Sequence, residues 1–496
     1  MTSNSDCKLC EIKKPLDKTQ WIRCEKCKEW YHYDCVGKTA SEIADISVFI
    51  CDDCSPEFGF SILKRVSSRK KAPIDYQALD NGDTIGFLKL HPYCFYFKGS
   101  RANFNSNHIK EYTGPGLSKL WGDLRPEDIP EPAIIRRKEY DSLDMSVPSE
   151  LTVAEVTELL GEDTPLEVMD VATQGNSTGW TLGKWRDYYY LEESERDRIR
   201  NVISLEFSYT PLAEKVKRPA IVREYDLVQQ VWPSDPSAES DYPKVSLYCL
   251  MSVANSFTDF HVDFGGSSVF YHVCQGAKTF LFVPPTPQNL QKYEKWCLSS
   301  DQNSTFFGGL VKECYEVRLK KGDSLLIPSG WIHAVYTPED SLVIGGNFLS
   351  KDSIPMELKL AEIERTTRVP RKFRFPYFNR VLWYIVIYYS KPENNKTLKI
   401  RLQIGLQYLA SYIWKTTNSP DTKEYKALIQ ALPVEYKKNY KTLAESFLND
   451  LATNVISSKR KQDLPVDSAD SKKIKTETSS PTGISNSCEN TFKEDV

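Results

Sequence analysis

The rhythm of apolar positions in this chain changes near residue 350. Before that point they fall in short aromatic and β-branched runs: Val245 to Met251, Val269 to Val273, Thr279 to Val283, Ser324 to Ile327 and Ser341 to Ile344. Runs this short, bounded by Gly and Pro, read as strands. Their number predicts a β-barrel or sandwich rather than an alternating α/β sheet. After Ser350 the spacing becomes helical: Met356, Leu360 and Ile363 step by four and three, and Leu402, Leu406, Leu409 and Ile413 by four, three and four. One apolar face per helix predicts a helical module packed on the barrel. Upstream, Thr152-Val153-Ala154-Glu155 forms a capping box ahead of Val156 and Leu159-Leu160, so a helix is expected to start there.

Composition supports a division into several parts. A chain of 496 residues with 40% hydrophobic and 12% aromatic content can bury a large core and hold more than one domain. The reading is a cysteine-rich segment over 1–58, a basic linker over 59–79 containing Ser67-Ser68-Arg69-Lys70-Lys71-Ala72-Pro73, a strand-rich domain over 80–350, the helical module over 351–455, and a polar tail over 456–496. The tail is expected to be disordered, because Ser, Thr, Asp and Lys cannot bury enough apolar surface to offset ordering. The longest apolar run, Val381 to Tyr389, has nine residues, against about 20 needed to span a bilayer. A soluble chain with no membrane partner is expected. The net charge of −3 gives no general footprint for nucleic acid, so sequence-specific DNA binding is not expected.

Candidate chemistry concentrates in Thr258-Asp259-Phe260-His261-Val262-Asp263-Phe264-Gly265-Gly266, with Lys278 following and His333 in Pro328-Ser329-Gly330-Trp331-Ile332-His333. Two imidazoles and one carboxylate are the set that holds non-haem Fe(II) on one face of an octahedron, leaving positions open for substrates and oxygen. In an extended strand, residues i and i+2 project to one side, so His261 and Asp263 can grip one ion while Val262 turns to the core. His333, after a Pro-Ser-Gly turn, suits the start of a strand entering a barrel from its rim. The competing imidazole, His272, sits within Val269–Val273 and reads as a packed strand residue. Lys278 follows the turn Gln275-Gly276-Ala277 and begins an apolar strand; buried, it would need an anionic partner, and otherwise it is a surface lysine on a hairpin.

The stretches from Phe257 to Val283 and from Ile327 to Phe348 closely resemble the JmjC-domain oxygenases. More narrowly they resemble histone lysine demethylases that join a PHD finger to a JmjC domain, including the fungal enzymes acting on lysine 36 of histone H3. The resemblance implies an Fe(II)- and 2-oxoglutarate-dependent enzyme on a double-stranded β-helix. Carried over residue by residue, His261, Asp263 and His333 are the iron ligands, and Thr258 and Lys278 bind the distal carboxylate of 2-oxoglutarate. Tyr271 and Asn347 line the same pocket, and Asn201 is a further candidate. The expected reaction removes mono- and dimethyl marks from lysine 36, with release of formaldehyde and succinate. The family also includes enzymes acting on lysines 9 and 27. A JmjC hydroxylase and a non-catalytic chromatin scaffold are the alternatives.

A second constellation precedes it. Cys7-x2-Cys10, Cys24-x2-Cys27, His32-x2-Cys35 and Cys51-x2-Cys54 place eight thiolate and imidazole ligands within 54 residues, enough for two closed tetrahedral Zn(II) sites. A disulfide framework fits poorly, since no secretory signal precedes these residues and cysteines 94, 249, 274, 297, 314 and 488 are scattered without spacing. The pattern resembles the PHD finger, which implies Cys7, Cys10, His32 and Cys35 on one zinc and Cys24, Cys27, Cys51 and Cys54 on the other. Trp21 and Trp30 resemble the aromatic cage of PHD fingers that bind methylated lysine, with trimethylated lysine 4 of histone H3 as the implied ligand. The expected partners are therefore the histone H3 tail and the nucleosome. In the tail, Lys459-Arg460-Lys461 and Lys472-Lys473-Ile474-Lys475 are separated by ten residues. That spacing resembles a bipartite nuclear import signal and implies residence in the nucleus.

Overall fold

The computed structural model describes residues 7–10, 21–38, 43, 46–55, 62–63, 90–98, 108–234 and 242–462. The chain divides into two compact units, Met1–Gly86 and Phe87–Val496. In the first, β1 (Trp21–Arg23) pairs antiparallel with β2 (Trp30–His32), and β3 (Ile46–Val48) with β4 (Ile62–Leu63). The β3–β4 pairing thus continues past residue 58. The apolar core is small, with Trp21, Tyr31, Ile46 and Phe49 packed among Cys7, Cys24 and Cys51. Segments this short leave most of the work of folding to their ligand-bearing side chains.

The second unit is built on an antiparallel sheet of ten strands. Its strands are β5 (Ala133–Ile135), β6 (Pro165–Asp170), β7 (Gly175–Thr181), β8 (Arg200–Glu206), β9 (Tyr248–Ser252), β10 (Phe257–His261), β11 (Ser268–Val283), β12 (Tyr315–Lys320), β13 (Ser324–Ile327) and β14 (Ile332–Phe348). They run in the order β5-β13-β11-β14-β9-β8-β6-β7, with β10 added on β14 and β12 on β11. The two long strands pair with each other and each changes its other neighbour halfway. β11 pairs with β13 through Val269–His272 and with β12 through Ala277–Phe282; β14 pairs with β10 near its start and with β9 through Ser341–Gly345. Two strands that each serve two layers make the jelly-roll, double-stranded β-helix that the sequence led one to expect.

One expectation is corrected. The runs Val269–Val273 and Thr279–Val283 are not two strands joined by a turn but one bent strand, and Ser341–Ile344 is the middle of another. Gly276 has φ +71° and sits where the β11–β14 register shifts. A Cβ there would lie 2.1 Å from the carbonyl oxygen of Asp340. The glycine therefore makes a bulge and not a chain reversal. The extra residue flips the alternation: Val269 and Tyr271 face the interior cavity before it, Lys278 and Phe280 after it. The bulge is what turns Lys278 inward.

The expected helices are present. Val153–Leu160 carries the full capping box, the Thr152 hydroxyl accepting from the Glu155 N–H at 3.1 Å while Glu155 accepts from the Thr152 N–H at 2.9 Å. Ile354–Thr366 uses two faces: Leu360 and Ile363 pack into the barrel core with Met356 beside them, and Ile354 and Leu358 pack into a helical core with Trp383, Leu406 and Leu409. The final helix, Tyr440–Gln462, continues past residue 456 and takes in Lys459-Arg460-Lys461. The second basic cluster, Lys472 to Lys475, and the linker 67–73 lie outside the described residues. Among the described residues no helix is long and apolar enough to cross a membrane.

Candidate metal centre

The pairing of β10 with β14 slips between Thr258 and His261, so that Thr258 lies opposite Val335 and His261 opposite His333. Asp263 follows as the residue before a 3-10 turn, Phe264–Gly266, in which Gly265 and Gly266 take φ +60° and +66°. This left-handed pair swings the chain away and leaves the Asp263 carboxylate 3.8 Å from His333 Nε2. The two imidazole centroids are 4.3 Å apart, and one ligand atom from each of His261, Asp263 and His333 lies within 4.8 Å of the others. Both rings are oriented from behind. The Asp259 carbonyl is 2.8 Å from His261 Nδ1 and the Trp331 carbonyl 3.0 Å from His333 Nδ1. A carbonyl can only accept, so each Nδ1 carries the proton and each Nε2 keeps its lone pair for a metal. Burial, then the neighbouring His261, hold His333 down to about 4, the neutral form a ligand requires. The donor set fits a ferrous ion.

The residues lining the cavity, which has a volume of about 820 Å³, include Thr258, Lys278, Tyr271, Asn347 and Asn201. Lys278 is 2% exposed, and its ammonium donates to Ser252 Oγ at 2.6 Å and Thr337 Oγ1 at 2.8 Å. Ser252 donates onward to Asn201 Oδ1 at 2.6 Å, and Asn201 Nδ2 to Thr258 Oγ1 at 3.3 Å. Thr258, Lys278 and Asn201 are thus one hydrogen-bonded network. Among the described residues Lys278 has no ion pair, and burial lowers its ammonium to about 7. The expected anionic partner is absent from its surroundings, which offer two hydroxyls instead. Asn347 Nδ2 donates to Asp263 Oδ1 at 3.2 Å and to Ser267 Oγ at 2.9 Å. Tyr271 lines the cavity edge-to-face with Phe280, and burial raises its phenol. His272 points elsewhere, its Nδ1 2.8 Å from Ser324 Oγ, and stays out of the metal set as the sequence reading has it.

Sequence reasoning passed over Ser252, Thr337, Asp259 and Glu364. Ser252 had a weak signal, ending the cavity-facing alternation Tyr248, Leu250, Ser252. Burial raises Asp259 to about 6 and Glu364 to about 7. Glu364 accepts the Gly265 N–H at 2.6 Å.

In the first unit, the eight zinc candidates gather as two sets of four: Cys7, Cys10, His32 and Cys35, and Cys24, Cys27, Cys51 and Cys54. Cys10 Sγ is 3.3 Å and Cys35 Sγ 3.5 Å from His32 Nδ1, and Cys27 Sγ is 3.7 Å from Cys51 Sγ. Tetrahedral zinc, with Zn–S bonds of about 2.3 Å and Zn–N bonds of about 2.0 Å, implies edges of about 3.6 Å from sulfur to nitrogen and about 3.8 Å between sulfurs, close to these distances. The described cysteines are all free of disulfides. Burial pushes Cys24 up, but the backbone N–H groups led by that of Cys51 outweigh it and bring the thiol to about 6; burial and the neighbouring thiols push Cys54 to about 12. Charge can settle on one sulfur at the expense of another until a cation neutralises the set. The two tryptophans differ. Trp21 is 4% exposed with its ring 3.9 Å from that of His32, whereas Trp30 is half-buried with the Arg23 guanidinium 6.0 Å over it. The expected pair of open indole faces is reduced to one.

A PHD-finger family model matches residues 7–54, and a Jumonji helical domain model matches residues 353–388. The chain is 45% identical over 417 residues to the JmjC domain-containing histone demethylation protein 1 of Debaryomyces hansenii, covering 79% of each chain. It is 41% identical over 442 residues to the protein of that name from Yarrowia lipolytica, covering 87% of this chain and 86% of the relative. Lysine-specific demethylase 2A of Xenopus tropicalis is 44% identical over 295 residues, 58% of this chain and 25% of the relative.

Proposed function

The chain belongs to the family of JmjC domain-containing histone demethylation proteins, and from that membership we propose that it is an Fe(II)- and 2-oxoglutarate-dependent demethylase of mono- and dimethylated lysine 36 in histone H3. The observation that carries the reading is the convergence of two Nε2 lone pairs and one carboxylate on a cavity that also holds a buried lysine with no ion pair among the described residues. His261, Asp263 and His333 would hold the iron. The Lys278 ammonium would meet the distal carboxylate of 2-oxoglutarate, with Thr258 and Asn201 completing that end and Tyr271 and Asn347 lining the walls. When bound there with co-substrate and dioxygen, ferrous iron would supply the oxidation of an N-methyl carbon that ends in release of formaldehyde. The chain's own share is to fix both rings through the Asp259 and Trp331 carbonyls, to steady Asp263 through Asn347, and to keep water from the reacting carbon. A volume of about 820 Å³ exceeds the roughly 300 Å³ of a small ligand site, leaving room for co-substrate and a methylated side chain together. The histone H3 tail in the nucleosome, and hence the nucleus, are the corresponding partner and place.

The test is incubation of the full chain with Fe(II), 2-oxoglutarate and histone H3 peptides methylated at lysine 4, 9, 27 or 36. Formaldehyde and succinate should appear in equal amounts, fastest with the lysine 36 peptides. A product carrying an added oxygen and no formaldehyde would identify a hydroxylase. Peptide binding without succinate would identify a scaffold.

Lys278→Met should weaken 2-oxoglutarate binding at least tenfold, since a dianion then faces a desolvated methylene chain. The pH dependence separates charge from shape. With the ammonium at about 7 in the free protein, binding above that pH must take up a proton, so wild-type affinity should fall about tenfold per pH unit above 7. Anaerobic titrations at pH 6, 7 and 8 check this; an equal slope in Lys278→Met would refute the assignment.

The PHD finger is proposed as the reader of trimethylated lysine 4, with Trp30 as its open aromatic wall. Trp30→Ala should weaken that peptide by about 0.5 to 2 kcal/mol, a few-fold to roughly thirtyfold, without unfolding the finger. Peptide fluorescence titration measures it, and unchanged affinity would remove Trp30 from the role.

A further inference from the structure

We propose that Glu364, on the Ile354–Thr366 helix, is a positioning residue that sets the metal affinity of the centre by holding the turn that carries Asp263. The inference rests on the metal-centre reading above and extends it to the helical module. The Gly265 N–H, two residues past Asp263, donates to Glu364 Oε1 at 2.6 Å. The backbone of the turn closes on itself by short-range bonds, Gly266 N–H to the Asp263 carbonyl at 3.0 Å and Ser267 N–H to the Phe264 carbonyl at 3.1 Å, and Asn347 holds the Asp263 and Ser267 side chains from the barrel side. Its outer surface lies hard against the module: a Cβ on Gly265 would meet Phe375 Cβ at 2.7 Å, and one on Gly266 would meet Leu360 Cδ1 at 2.7 Å and Glu357 Cα at 3.1 Å. The same helix is seated in the barrel core by Leu360 and Ile363. Further along, the Arg374 guanidinium donates to the Val369 carbonyl at 2.8 Å and to the Glu364 carbonyl at 3.4 Å, so the end of the helix is tied down as well.

Glu364 makes no ion pair among the described residues. A largely enclosed carboxylate whose bond is to one backbone N–H is an expensive way to fill space. It is a direct way to fix a peptide plane. With that plane fixed, the turn that immediately follows Asp263 is held in place, and the hydrogen bond from Asn347 orients the Asp263 carboxylate itself. Glu364 is not one of the three residues whose ligand atoms converge, although it borders the same cavity; the role assigned to it runs through the backbone of Gly265. Partners that orient a ligand without touching the metal commonly change affinity by about 10- to 100-fold.

The experiment uses the full chain with its finger loaded with zinc and titrates Mn(II), a hard ion that thiolate sites do not favour, counting free Mn(II) by its EPR signal. Glu364→Ala should weaken Mn(II) binding by roughly tenfold or more. Glu364→Gln keeps an oxygen acceptor and should return to within about threefold of wild type, while Glu364→Asp, one methylene short of the N–H, should resemble alanine. Melting temperatures are read alongside. Unaltered Mn(II) affinity in Glu364→Ala would overturn the proposal, as would Gln and Asp variants that bind alike. If alanine fails to fold, the Gln and Asp pair decides. Failure of the underlying reading looks different: wild type would then take up no Mn(II) that His333→Ala abolishes.

Discussion

Replacing His333 with alanine should lower turnover at least a thousandfold while leaving the barrel folded. The imidazole is 4% exposed, its Nδ1 proton is committed to the Trp331 carbonyl at 3.0 Å, and its Nε2 faces Asp263 at 3.8 Å. Among the described residues no fourth ligand group joins His261, Asp263 and His333 to replace that nitrogen. A bound metal supplies several kcal/mol of charge stabilisation, and each 1.36 kcal/mol is tenfold in rate, so loss of a ligand reaches about a thousandfold once some 4 kcal/mol is forfeited. The structural cost is smaller. The ring lies among Phe280 and Phe282, with centroids 6.0 and 5.5 Å away, and its removal leaves a void costing about 1–3 kcal/mol. The informative control is His272→Ala. That ring is equally enclosed and loses a 2.8 Å contact with Ser324, so it should cost similar stability, yet turnover per folded molecule should stay near wild type. Formaldehyde release and thermal melting of both variants make the comparison. Retention of a tenth of the activity by His333→Ala, or equal losses in the two variants, would remove the centre from the chemistry.

The three side chains that converge at the candidate metal centre were legible because their logic is local. His261 and Asp263 are two apart on one strand end, and the Pro328-Ser329-Gly330 turn announces that His333 opens another. The proposed anion-binding end was only half legible. Lys278 stood out as a lysine opening an apolar strand, but Ser252 and Thr337 become its partners only because β9, β14 and β11 lie side by side, with Ser252 opposite Ser341. No spacing in the sequence encodes a neighbour that a sheet supplies across strands. The bulge at Gly276 shows the same limit from the other side. A glycine with positive φ serves a hairpin and a bulge equally well, and the decision belongs to the Asp340 carbonyl that passes 2.1 Å from where its Cβ would be. The periodic stripe Met356, Leu360, Ile363 was read correctly as a face packed on the barrel. That the same helix also reaches the Asp263 turn through Glu364 was hidden, since a glutamate on the flank of a stripe looks like any solvated charge. The two tryptophans were separated by register alone: Trp21 lies opposite His32 and is covered, while Trp30 lies opposite Arg23 and stays partly open.

Removing zinc should unfold the first unit and leave the second standing. Among the described residues the buried apolar cluster of the finger holds Trp21, Tyr31, Ile46 and Phe49 beside its cysteines, worth about 1.5–3 kcal/mol each on burial. Ordering the segment costs backbone entropy that so small an apolar cluster cannot offset. Structural zinc contributes an apparent 10–16 kcal/mol or so per site near neutral pH, so the two ions outweigh the apolar cluster as the source of folding free energy. The thiols also give the pH dependence its sign. Without metal, burial and neighbouring sulfurs hold Cys35 and Cys54 near about 12, so zinc must displace protons to bind there, and its affinity should fall steadily on acidification. A strong chelator should therefore release two equivalents of zinc and open residues 7–63 to proteolysis. Cys24→Ser should do so for one site without chelator. The unit from Phe87 onward has its own barrel and helical cores and should keep its melting temperature within a few degrees. A finger that resists proteolysis after losing both ions would mean that its fold is held by something other than these eight ligands.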